Sequence, residues 1–199
     1  MSVNHWRQIA PPQSDRSLYS ADGRRKYLNS DERRAFPEAA ANEDLAPRAL
    51  CLTLAFTGCR ISEALALSIS SVQSGSNLIA IRSLKKRGRV MIREIPVPGD
   101  LVQLLLESRE RHQPNTLIWT FGRTYAWQRV KMVMMNAGVS GLHASPRGLR
   151  HGFAVEAVLS GVPLSLVQKW LGHACLATTA IYADVVGPEE RKMAERMWE

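Results

Sequence analysis

Ser145-Pro-Arg-Gly-Leu-Arg-His151 concentrates side chains suited to a phosphate. Ser145 followed by Pro146 reads as an N-cap and a first-turn proline, so a helix begins there. On that helix Arg147, Arg150 and His151 fall at i, i+3 and i+4, on one face of the first turns. Cations are poorly placed at a helix N-terminus, where the dipole is already positive. An anion is therefore expected among them, and a phosphate suits such a terminus best. Gly161 and Pro163 end this helix and start another, Leu164 to Leu171, closed by Gly172-His173. A third helix, Cys175 to Asp184, carries Tyr182. Three short helices thus deliver two arginines, one or two histidines and a tyrosine, which is a phosphodiester site in outline. Taken alone, a tyrosine between Ile181 and Ala183 is more often a core residue with a bonded hydroxyl. As a nucleophile its phenol, ionising near about pH 10, needs a base or nearby cations.

The elements that position this set are legible in coarse form. Ser30-Asp31-Glu32 opens a helix toward Ala41, acidic where the dipole prefers it, and Pro37 should kink or shorten it. Leu45 to Thr57 is a stronger helix ended by Gly58. Arg60 follows that stop, and Ser62 is placed to cap a short helix from Glu63 to Leu67. Arg60 at this junction is aimed by two rigid helices, and an ion pair with Glu63 at i+3 is its bland alternative. Ser68 to Val97 reads as a sheet from the alternation of Val90, Ile92 and Ile95, with Lys85-Lys86-Arg87-Gly88-Arg89 as a basic turn. Helices follow from Leu101 to about Arg111 and from Arg123 to Ala137, where Met132, Met134 and Met135 read as core packing. A last short helix after Gly187 carries Met193, Met197 and Trp198. The fold class is α+β, mostly α-helical, with a small antiparallel three-stranded sheet.

Composition bounds the function. The 199 residues suffice for one domain with a substantial core. A net charge of +8 points to a polyanionic partner, nucleic acid first and a membrane surface second. Cys51, Cys59 and Cys175 are odd in number and lack CxxC spacing, so they read as reduced thiols and not as disulfides or metal ligands. The N-terminus has no signal-peptide pattern, and no stretch approaches the roughly 20 apolar residues of a membrane span. A soluble, intracellular protein is expected. No carboxylate pair or His/Cys cluster asks for a metal, and no cofactor is expected.

Leu149-Arg150-His151, Leu171-Gly172-His173 and Thr178-Thr179-Ala180-Ile181-Tyr182 resemble the C-terminal signature of the tyrosine recombinases, the phage-integrase family. Thr57-Gly58-Cys59-Arg60-Ile61-Ser62-Glu63-Ala64-Leu65 resembles that family's first arginine box. The resemblance covers residues 45–185 and implies a tyrosine-recombinase catalytic domain acting on double-stranded DNA without a metal. It implies that Tyr182 attacks the backbone, forms a 3′-phosphotyrosine and frees a 5′-hydroxyl. Arg60 and Arg150 become the clamp on the non-bridging oxygens, whose charge guanidinium forks match bidentately. His173 is implied to bond the scissile phosphate or assist the nucleophile, its bland alternative being a polar helix cap. Lys85, with Lys86 as rival, resembles the mobile lysine that protonates the leaving oxygen; a solvated charge run is the alternative. Arg82, Arg87, Arg89 and Arg93 are assigned to DNA-backbone contact.

The chain departs from the pattern twice. The family usually has a histidine three residues before the second arginine, and this chain has Arg147, with His143 out of register. Arginine can donate to the same oxygen but cannot shuttle a proton near neutral pH. His151 is the next residue placed to support the site. Residues 1–44 read as a leader with a short helix, where many members carry a further N-terminal domain. A short catalytic-domain-only recombinase, an isolated domain of a longer protein and the product of a truncated gene all fit. Residues 186–199 read as a C-terminal helix, tucked on its own core or exchanged between protomers. The resemblance further implies a tetramer on paired sites, a possible accessory DNA-bending protein and a cytoplasmic, nucleoid-associated location. Two other classes remain: a catalytically silent DNA-binding protein of the same fold, and a type IB topoisomerase-like relaxing enzyme.

Overall fold

The computed structural model describes residues 17–84, 90–108 and 115–198, and among these it has nine α-helices and a three-stranded sheet. Helix α1 (Ser30–Ala40) starts at Asn29 through a reciprocal cap. Asn29 Oδ1 accepts from the Glu32 N–H at 2.9 Å, and Glu32 Oε2 accepts from the Asn29 N–H at 3.0 Å. The helix runs through Pro37 to Ala40, further than the proline suggested. Helix α2 (Leu45–Thr57) ends at Gly58, whose φ of 59° is the left-handed conformation that favours glycine. Helix α3 (Ile61–Leu65) begins two residues before the sequence suggested. Glu63 occupies its third position and accepts the Arg60 N–H at 2.9 Å, so the cap comes from Glu63 and not from Ser62.

The sheet is antiparallel in the order β1 (Val72–Gln73), β2 (Leu78–Leu84), β3 (Val90–Pro96). Ile79 pairs with Ile95 and Ile81 with Arg93, and these four residues share the buried face. Strand alternation therefore places Arg93 inward, which overturns its assignment to DNA-backbone contact. Helix α4 (Gly99–Glu107) follows, then α5 (Arg123–Asn136).

Helix α6 (Pro146–Leu159) starts as read, with Ser145 Oγ accepting from the Gly148 N–H at 3.1 Å and Pro146 in the first turn. Helix α7 (Leu164–Leu171) ends at Gly172, again left-handed with φ 66°. The stretch read as one helix to Asp184 is a short α8 (Ala177–Ala180) continuing into a 3₁₀ turn, Ile181–Ala183. Helix α9 (Pro188–Glu195) follows.

Two apolar clusters hold these elements. The larger joins α1 to α5 and the sheet; the smaller joins the later turns of α6 to α7, Tyr182 and Val185. Helix α6 bridges them, with Leu149 in the first and Ala154, Val155 and Val158 in the second. Leu18, Tyr27 and Leu28 are buried, so the described residues 17–29 are part of this packing. Met134 is buried as expected, but Met132 and Met135 are exposed on the outer face of α5. Met193 packs on the smaller cluster, whereas Met197 and Trp198 stand in solvent.

Candidate active site

The first turn of α6, the start of α3 and the Tyr182 turn converge on a cleft of about 490 Å³. Its lining includes Arg60, Arg147, Arg150, His151, His173 and Tyr182, so five of the six residues singled out from sequence meet there, with His151 beside them. The sixth, Lys85, lies outside the described residues, as do Lys86, Arg87 and Arg89.

Arg150 is buried, and its guanidinium bridges two chain reversals. One nitrogen donates to the Gly58 carbonyl at 2.8 Å and the other to the Leu171 carbonyl at 2.7 Å. These carbonyls belong to the ends of α2 and α7, where helices leave acceptors without intrahelical donors. The same two bonds therefore satisfy the helix ends and fix the cation. Burial, followed by repulsion from Arg60, lowers the Arg150 pKa to about 10, and it stays charged at neutral pH.

Arg60 reaches the cleft from the other side. Its Nη1 donates to Glu63 Oε1 at 3.0 Å, yet the side chain stays half exposed. The ion pair and the cleft position coexist. Glu63 is itself buried and accepts Arg93 Nη2 at 2.7 Å and Nη1 at 3.3 Å. Arg93 Nε then donates to the Trp170 carbonyl at 2.6 Å. Burial works against the Glu63 carboxylate, but Arg93 and the Arg60 N–H outweigh it and hold its pKa below the usual range.

His173 follows the left-handed turn at Gly172. Its Nδ1 lies 3.0 Å from Thr179 Oγ1, and its ring runs nearly parallel to that of Tyr182 at 6.2 Å between centroids. Tyr182 is almost wholly buried, and its hydroxyl sits 3.0 Å from His151 Nδ1. Burial raises the phenol's pKa, and Arg150, Arg147 and Arg60 oppose that rise. Arg147 Nε donates to the far nitrogen of His151, Nε2, at 3.2 Å. His143, out of register in sequence, is turned away onto Glu32 Oε1 at 3.0 Å.

Two cleft residues were not read from sequence. Arg123 and Trp127 stand one turn apart on the exposed face of α5 and line the same cleft. The signal for Arg123 was available: a cation at a helix start, the anomaly that exposed Arg147. Arg93 was misassigned for want of the strand phase that pairs it with Ile81. Among the described residues no three His, Cys, Asp or Glu side chains are grouped to hold a metal. No described helix is long and apolar enough to cross a membrane.

The result is an α-rich domain with one small sheet, in which a buried Arg150 and a half-exposed Arg60 flank a buried tyrosine. A sequence model of the phage integrase family matches residues 26–187, and the chain belongs to that family. The tyrosine recombinase XerA of Pyrococcus furiosus is 27% identical over 186 residues, covering 86% of this chain and 61% of the relative. The crystal structure of a XerA recombinase superposes with a TM-score of 0.73 at 26% identity, over 87% of this chain and 65% of that one. A XerH site-specific recombinase bound to difH substrate in a pre-cleavage complex shares the fold, with a TM-score of 0.70 at 24% identity over 91% and 60%. The chain thus spans about three fifths of the length of the curated relative.

Proposed function

We propose that this chain is the catalytic part of a site-specific DNA recombinase that cuts and rejoins duplex DNA through a 3′-phosphotyrosine. The observation that carries the reading is the placing of Tyr182 in one cleft with Arg60, Arg150 and His173. In this reading Tyr182 Oη attacks the scissile phosphorus, the Oη–P bond forms, and the P–O5′ bond breaks. Arg60 and Arg150 neutralise the charge that develops on the non-bridging oxygens. Fixed donors of this kind lower a barrier by roughly 3 kcal/mol each. Arg150 is held by two backbone carbonyls before substrate arrives, so little reorganisation is needed at the moment of reaction. His173 donates to the phosphate from the Tyr182 side of the cleft. Lys85 or Lys86 protonates the departing 5′-oxygen.

Residues 45–185 form the catalytic region of this reading, and the working form is a tetramer on two DNA sites. The exposure of Met197 and Trp198 supports exchange of the 186–199 segment between neighbouring protomers. Covalent trapping on nicked duplexes, taken from the DNA flanking the gene, tests the chemistry. Wild type is expected to give a denaturant-resistant protein–DNA adduct. Tyr182→Phe is expected to shift the same DNA in a native gel and give none. DNA binding without any wild-type adduct would turn the assignment toward a silent DNA-binding protein.

A further inference from the structure

Arg147 stands where the family pattern carries histidine, and the structure gives it a specific partner. Its Nε donates to His151 Nε2 at 3.2 Å, while His151 Nδ1 lies 3.0 Å from Tyr182 Oη. A neutral imidazole has one N–H and one lone pair, and a guanidinium has only donors. Nε2 must then be the accepting nitrogen, and the proton sits on Nδ1. The hydrogen bond to tyrosine consequently runs from His151 to the phenol oxygen.

We propose that His151 is a catalytic residue of the strand transfer, donating its Nδ1–H to Tyr182 Oη and stabilising the phenolate, with Arg147 as the positioning residue that fixes the tautomer. The inference rests on the recombinase reading of the cleft. A histidine acting as the base would need the opposite arrangement, a lone pair on Nδ1 and a proton on Nε2 pointing at another N–H. An imidazolium meets the same conflict, because both of its nitrogens donate. The charged and titratable groups around the ring also disfavour it: Arg147 and Arg150 on α6, His173 after α7, Lys26 ahead of α1, and Tyr182. Burial first, then Arg147 and Arg150, lowers the His151 pKa to about 3.

The chemistry balances without a protein base at this position. The phenol loses its proton to water, and the resulting oxygen lone pair forms the Oη–P bond as P–O5′ breaks. The 5′-oxygen takes its proton from water or from Lys85 or Lys86. The hydrogen bond from Nδ1 strengthens as Oη acquires charge, and Arg150, Arg147 and Arg60 favour the same ionised form. Replacing the usual histidine by Arg147 therefore changes the task at this corner from moving a proton to holding an anion.

The tautomer is directly observable in the DNA-free protein. A long-range ¹H–¹⁵N correlation spectrum of the full chain labelled in histidine is assigned by the loss of signals in His151→Asn. His151 is expected to be neutral with its proton on Nδ1 between about pH 5 and 8, and Arg147→Met is expected to mix the two tautomers. A proton on Nε2, or an imidazolium near about pH 6, overturns the proposal. Rates of adduct formation on the nicked duplex supply the second measurement. Asparagine presents an amide N–H close to the Nδ1 position, so His151→Asn should stay within about tenfold of wild type. His151→Leu should lose about 100-fold, with its pH–rate profile displaced upward. If the asparagine variant, folded and DNA-bound, is as slow as the leucine variant, a lone pair was required and the donor role is wrong. Should wild type give no adduct at all, the recombinase reading fails, and the spectrum still decides the direction of the hydrogen bond.

Discussion

His151 is buried beside two arginines in its neutral form, and that burial has a consequence for stability as well as for chemistry. Its folded-state pKa of about 3 lies below the value of about 6.5 expected in the unfolded chain. As pH falls below about 6.5, the unfolded state takes up a proton that the native state refuses, so stability is full above that value and is lost on the way down. A difference of one pKa unit corresponds to about 1.4 kcal/mol, which puts the loss near 2 kcal/mol by about pH 5. Glu32 and Glu63, also shifted downward, begin to contribute only as pH approaches their unfolded value of 4.5. Between about pH 6.5 and 4.5 these two carboxylates add little, and the His151 contribution is isolated by comparing wild type with a variant that lacks the imidazole. Denaturant unfolding at about pH 7 and pH 5 should show the loss in wild type and its near-disappearance in His151→Asn. An equal loss in both proteins would assign the acid sensitivity to another group.

Arg93 operates at the scale of elements, because one buried guanidinium ties β3 to Glu63 of α3 and to the last turn of α7. Removing one partner of a buried ion pair leaves an uncompensated charge, at roughly 3–5 kcal/mol. Arg93→Met should destabilise by about that amount, and adding Glu63→Leu should cost less than the sum of the two single changes. A strictly additive double-mutant cycle would show that the pair is not coupled. Much of the site was readable in the sequence because its signals are local. Ser145-Pro146 caps α6, Gly58 and Gly172 terminate helices, and the spacing around Arg150, His173 and Tyr182 fixes their order. What escaped depends on partners distant along the chain. The Glu63–Arg93 pair spans 30 positions, and only the phase of β3 against β2 shows that Arg93 points inward. The burial of Leu18, Tyr27 and Leu28 likewise needs α6 and the smaller cluster in place. Met132 and Met135 were misread because helical spacing gives a face but not its neighbour, and that face of α5 has no packed element covering it among the described residues.

For the molecule as a whole, the excess of cations has to be separated from their placement. A net charge of +8 would attract DNA to any face, and such attraction alone names no site. The cleft, in contrast, gathers Arg60, Arg123, Arg147 and Arg150 within one concavity. Each phosphate neutralised by a bound protein releases condensed counterion, so log K falls with log salt at a slope of about 0.9 per contact. Arg123 is exposed at the start of α5 on the cleft edge, whereas Arg191 is exposed on α9, pairs with Glu195 and is not part of the cleft lining. Both substitutions to alanine remove one positive charge from the surface. Arg123→Ala should weaken duplex binding and reduce the salt slope by about one, uniformly across DNA sequences. Arg191→Ala should leave the slope unchanged. Gel shifts or anisotropy across a salt series measure both. Equal reductions would mean that the duplex is held by diffuse charge, and the cleft would lose its standing as the face that receives the scissile phosphate.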